Sequence, residues 1–120
     1  MPAQQHIVII IHAAPYGSER CLSGLRVAGA LAARGDVASL RVFLMSDATV
    51  AALPHQQAGA GASLQPLLQE LLDAGVGVHL CRTCALARGL GGLPLLEGVA
   101  IDTLAELGEW IVGADKVLTF

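Results

Sequence analysis

Charge is scarce in this chain. Only 14% of its 120 residues are Asp, Glu, Lys or Arg, and seven cations against ten anions leave a formal charge of −3. The seven Lys and Arg are scattered and form no basic stripe with which to neutralise phosphates, so nucleic acid is not an expected partner. Long hydrophobic runs are missing too. Stretches such as residues 7–11 fall far short of the roughly twenty apolar residues a bilayer span needs, which excludes membrane insertion. The polar start, residues 1–6, has neither a basic n-region nor a separate apolar h-region and leads straight into a strand-like run, so a cytoplasmic protein is expected. There are only three cysteines, Cys21, Cys81 and Cys84. That odd number in a reducing compartment argues against a structural disulfide framework and leaves reactive or buried thiols. No G-x-G-x-x-G or Walker pattern is present, so no cofactor is expected. Repeats and low-complexity tracts are likewise missing.

What the chain has is apolar residues, 54% of the total. Such a composition can bury enough surface to offset the entropy of ordering, and the length fits one domain, residues 1–120. The β-branched run 6–11 shows no polar alternation, the mark of a strand covered on both faces. Further strands are expected at 40–45, 76–80, 99–101 and 116–119. Between them, Ser18 is placed to cap a helix whose apolar positions run from Leu22 to Ala32, ended by Gly35. Ser46 or Asp47 is placed to cap a short helix through Ala52, stopped by Pro54. Residues 55–63 read as a loop and as the expected mobile segment. Leu64, Leu67, Leu68, Leu71 and Leu72 form an amphipathic helix ended by Gly75. A short helix at 82–87 stops at Gly89, and Thr103 with Glu106 forms a capping-box pattern that opens the last helix. Five strands alternating with helices imply an α/β fold, a three-layer α/β/α sandwich around a mostly parallel five-stranded sheet. Ligands of such sheets collect beyond the carboxyl ends of the strands. Three exits matter: 12–20, 46–47 and 81–88.

The third exit holds Cys81-Arg82-Thr83-Cys84. A thiolate at the end of a strand and the start of a helix is favoured by unpaired amides and by the helix dipole, and Arg82 adds a cation. Both effects are expected to lower the Cys81 pKa, and Cys84, one helical turn on, is within exchange reach. Zinc would need about four ligands. Only His79 and the distant Cys21 offer themselves besides the pair, so no metal is expected. Against the reactive reading stands a bland one, in which both cysteines are small buried hydrophobes. At the first exit, the amides of Tyr16, Gly17 and Ser18 suit an anionic substrate or a partner's terminus. The simpler reading there is a Pro-Gly turn with a serine cap. His79 and His12 are candidates for moving a proton to or from the thiol.

The segments APYGSE (14–19), RVFLMSDA (41–48), LCRTC with ARG (80–89), LPLLEGV (93–99) and ADKVLTF (114–120) together resemble the DsrE/DsrF-like family, nearest its YchN-like branch. The resemblance implies a compact α/β/α subunit with a five-stranded parallel sheet, commonly assembled as a hexamer of two stacked trimeric rings, with a trimer as the smaller alternative. Members in sulfur relays carry sulfane sulfur as a persulfide on one cysteine at this strand exit and pass it between donor and acceptor proteins. Cys81, eight residues before Gly89, matches that position, Cys84 resembles an addition of the YchN-like branch, and Cys21 matches no motif. Composition favours assembly independently, since a small subunit rich in apolar residues leaves an apolar face to cover. The 90–96 linker and the 64–72 helix are the expected contacts. Three functions follow: a sulfurtransferase-like carrier, a thiol–disulfide redox protein using Cys81 and Cys84, or a non-catalytic oligomeric binding module.

Overall fold

The computed structural model describes residues 4–57 and 64–120. The expected polar start at 1–3 and the 58–63 part of the expected loop lie outside the described residues. Strands β1 (Gln5–Ile11), β2 (Val37–Leu44), β3 (Gly77–Cys81), β4 (Ala100–Asp102) and β5 (Lys116–Thr119) alternate with helices α1 (Arg20–Ala32), α2 (Leu64–Asp73), α3 (Arg82–Ala87) and α4 (Leu104–Gly113). The sheet runs β4-β3-β2-β1-β5, and every neighbouring pair is parallel. Ile11 pairs with Leu44 and Leu44 with Leu80, so β1, β2 and β3 end flush. That register is what brings the three exits to one edge.

The two faces of the sheet are covered by different helices. Ile7, Ile9, Ile11, Val42, Leu44, Val78 and Leu80 pack with Cys21, Leu25 and Ala28 of α1 and Leu64, Leu68 and Leu71 of α2. Val8, Ile10, Phe43 and Cys81 pack on the opposite face with Leu107 of α4. Coverage of both faces is the physical reason that β1 reads as an unbroken apolar run. Each fully buried Ile or Leu contributes about 1.5–3 kcal/mol. α1 lies close on β1 at Gly24, where an added Cβ would fall 2.7 Å from Ile11 Cδ1. In α2, expected as a subunit contact, Leu64, Leu68 and Leu71 are buried against its own sheet, and Leu67 and Leu72 are half-buried. In the 90–96 linker Leu90 and Leu96 are buried as well, and Leu93 is left exposed.

Two expected caps give way to other arrangements. α1 opens at Arg20 with Glu19 at the cap position and no side-chain cap bond. The Glu19 carbonyl accepts the Ser23 N–H at 2.8 Å, which leaves Ser18 one residue too early; its hydroxyl accepts only a long 3.4 Å bond from the Arg20 N–H. After β2 the chain forms a 3₁₀ helix, Ser46–Ala52, whose cap residue is Met45, so neither Ser46 nor Asp47 caps it. Ser46 instead takes a left-handed φ of 53°, and its carbonyl accepts the hydroxyl of the fully buried Thr49 at 2.8 Å. The capping box of α4 forms as expected, with Thr103 Oγ1 accepting the Glu106 N–H at 3.2 Å.

Candidate functional site

Cys81 is the last residue of β3 and the cap residue of α3, in extended conformation. It is only 1% exposed, and its side chain belongs to the core under α4. Three influences act on the sulfur. Burial is the largest and raises the pKa; the Cys84 and Thr83 amides favour the thiolate; the neighbouring Cys84 thiol opposes it. The net shift is upward, which corrects the expected lowering. The amides face the sulfur, but no capping hydrogen bond closes, and removing the thiolate from water outweighs them. Arg82 is exposed and is not among the groups that act on the sulfur. Cys84 is half-buried beside Cys81, and both thiols are free.

Cys21 lies in the core of the α1/α2 face, and burial pushes its thiol up to about 11. Because the sheet separates it from Cys81, the two cysteines cannot share a metal ion. Among the described residues no three His, Cys, Asp or Glu side chains converge into a metal site.

The two histidines differ in reach. His79, two residues before Cys81, places Nδ1 2.5 Å from Asp102 Oδ2, and its ring lies 4.5 Å from that of Trp110. Its Nε2 leans back over Gly77, where an added Cβ would fall 2.6 Å away. One ring nitrogen is thus held by β4 and the other is turned along the strand away from the cysteine. His12 leaves β1, its N–H donating to the Phe120 carbonyl at 2.9 Å. With β2 standing between β1 and β3, its backbone is about 10 Å from that of Cys81. The structure does not bring His12 to the thiol.

At the first exit, Tyr16 donates its hydroxyl to Gln56 Oε1 at 2.6 Å, and Gln56 Nε2 donates to the Val50 and Leu53 carbonyls. Gly17 turns with φ +87°. The cavity between Tyr16, Gln56 and Leu64 has a volume of ≈ 10 Å³, room for about one water. Asp102 and Trp110, near the cysteines, escaped the sequence reading, which put Asp47 and Arg88 at two strand exits without pairing them. Asp102 faces Cys81 in the β3/β4 register, and Arg88 reaches Asp47 across 41 residues. No local pattern signals either pairing.

Residues 5–120 match the model of the DsrE/DsrF-like family. The chain belongs to that family. Protein YchN of Escherichia coli (strain K12) is 49% identical over 116 residues, covering 97% of this chain and 99% of its own. The Methanopyrus kandleri protein MK0008 is 31% identical over 114 residues, covering 95% and 93%. Among solved structures, the crystal structure of ychN protein from E. coli superposes with a TM-score of 0.92 at 49% identity, covering 98% of this chain and 100% of that one. The Methanobacterium thermoautotrophicum protein MTH1491, a protein of unknown function, superposes at 0.73 with 20% identity, covering 95% and 97%; at that identity the likeness shows the fold alone. The parallel strands between helical layers seen in this chain are therefore a fold shared with these two solved structures. Among the described residues no helix is long and apolar enough to cross a membrane.

Proposed function

We propose that this DsrE/DsrF-like chain is a sulfurtransferase-like carrier that holds sulfane sulfur as a persulfide on Cys81 and passes it to a partner protein. The observation that carries the reading is the place of the Cys81 sulfur: at the mouth of a helix, facing the Thr83 and Cys84 amides, with a second thiol alongside. In loading, the Cys81 thiolate attacks the outer sulfur of a donor persulfide. The donor's S–S bond breaks, the donor leaves as a thiolate, and Cys81 holds –S–SH. An acceptor thiolate then takes the outer sulfur and Cys81 returns to its starting state, with no net oxidation. Because burial raises the Cys81 pKa, loading quickens as pH rises through and above the ordinary thiol range.

The proximity of Cys84 favours a second reading, a thiol–disulfide pair. Its thiolate would attack the inner sulfur of the Cys81 persulfide, expel HS⁻ and close a Cys81–Cys84 disulfide. Intact mass after incubation with a persulfide donor separates the readings. Carriage adds one sulfur, about 32 Da, whereas a disulfide removes two hydrogens, about 2 Da. Cys81→Ser abolishes the adduct and Cys84→Ser prolongs it. Loss of the adduct in Cys84→Ser alone would reverse the roles, and no mass change in any form leaves only packed cysteines.

The carrier is proposed to act in the cytoplasm as a homo-oligomer, a hexamer of two stacked trimeric rings or at least a trimer, with separate donor and acceptor proteins. Support comes from α4, whose Leu104, Ile111 and Val112 point outward, Val112 being 88% exposed. An apolar helix face of this kind calls for a covering surface.

A further inference from the structure

Arg88, the first residue after α3, joins two of the three strand exits. Its Nε donates to Asp47 Oδ1 at 3.0 Å, its Nη2 lies 2.9 Å from the same oxygen, and its Nη1 donates to the Cys84 carbonyl at 3.1 Å. One planar group thus ties the first turn of the 3₁₀ helix to the backbone of the residue that bears the second thiol. The helix it holds is weakly anchored. α3 has six residues, of which Ala85 alone is buried. The last four carbonyls of any helix lack partners within it. Here the Ala85 carbonyl accepts the Arg88 and Leu90 N–H groups and the Leu86 carbonyl accepts that of Gly89, while the Cys84 carbonyl is met by the Arg88 side chain. On the other side of the bridge stands Ser46, held in its left-handed turn through the Thr49 hydroxyl.

We infer that Arg88 is a positioning residue for the thiol pair, clamping α3 to the 3₁₀ helix through Asp47 so that Cys81 stays covered and the Cys84 thiol stays beside it. The inference rests on the reading that Cys81 and Cys84 are the working groups, but it concerns their geometry and not the sulfur they carry. A lysine cannot replace the guanidinium, because a point ammonium does not present the planar fork that reaches a carboxylate and a carbonyl together. Residues three apart at the start of a helix already lie within disulfide reach, and the clamp raises the effective concentration of one thiol at the other.

The test equilibrates the full chain with glutathione. In that reaction the protein dithiol and one glutathione disulfide yield the Cys81–Cys84 disulfide and two glutathiones, which take the two thiol protons. Asp47→Asn, Arg88→Lys and Arg88→Gln are each expected to lower the equilibrium constant about threefold, the size an exposed ion pair supports. At fixed pH they should also speed iodoacetamide labelling of Cys81 by a similar factor. Asp47→Glu, which keeps the carboxylate, should restore both values. High salt should shift the wild type toward the variants, since the pair is exposed and screened. The melting temperature should stay within about 2 °C of the wild type, as befits a surface pair. Wild-type constants and labelling rates in all three variants would overturn the inference. So would shifts that merely follow a loss of melting temperature. If the wild type takes no sulfur from a persulfide while the variants still label faster, the carrier reading fails and the clamp stands.

Discussion

Three thiols of identical chemistry occupy three environments, and the differences decide what each can do. Cys21 is the most enclosed, its pKa raised by burial from 9.0 to about 11. A thiol held neutral in the folded chain stabilises it fully below the unfolded pKa, and that stability is lost as pH climbs from about 9 toward about 11. The unfolding free energy should therefore fall by about 2–3 kcal/mol more in the wild type than in Cys21→Ala over that window. Urea titrations at a series of pH values would measure it, and parallel curves for the two proteins would refute it. At this scale the sequence disclosed which residues matter better than it disclosed their state. The C-x-x-C spacing singled out Cys81 and Cys84, yet the direction of the Cys81 shift depended on Leu107 and Phe43 closing over the sulfur, residues 26 and 38 positions away. Helix-dipole reasoning is local, whereas desolvation is set by distant chain.

Elements were more legible than side-chain partners because apolar periodicity is a local property. All five strands and the helices at 64, 82 and 104 fall where the pattern placed them, within a few residues. β2 begins at Val37, earlier than the expected 40, because Val37 and Ser39 are held by pairing with Gln5 and His6, a tertiary influence invisible in the mixed run Val37-Ala38-Ser39. The cap of α4 is the one start signal that formed as read. Thr103→Ala removes the hydroxyl that accepts the Glu106 N–H and should cost about 1 kcal/mol in chemical denaturation, with Thr103→Ser recovering most of it. An unchanged midpoint would mean that the sheet, and not the capping box, sets the start of the helix.

For the molecule as a whole, the class of architecture was readable while the lateral order of strands was not. Nothing in composition or spacing says that β2 lies between β1 and β3, and for that reason His12 was placed nearer to Cys81 than the sheet allows. Nor did the pattern show that Leu64, Leu68 and Leu71 of α2 would be buried internally while Leu104, Ile111 and Val112 of α4 stay exposed. Val112→Asp should leave the fold intact, since the residue is 88% exposed, and shift sedimentation at micromolar concentration toward the monomer. A wild type that sediments as a monomer under the same conditions would sink the assembly proposal. The sheet order has one more consequence. β5 docks against β1, and the Asp115 carboxylate accepts the His6 N–H at 2.7 Å across 109 residues. A nascent chain leaving the ribosome therefore carries one flank of β1 as an open hydrogen-bonding zipper until residues 116–119 emerge. Throughout synthesis that flank is the place where a second nascent chain could wrongly pair.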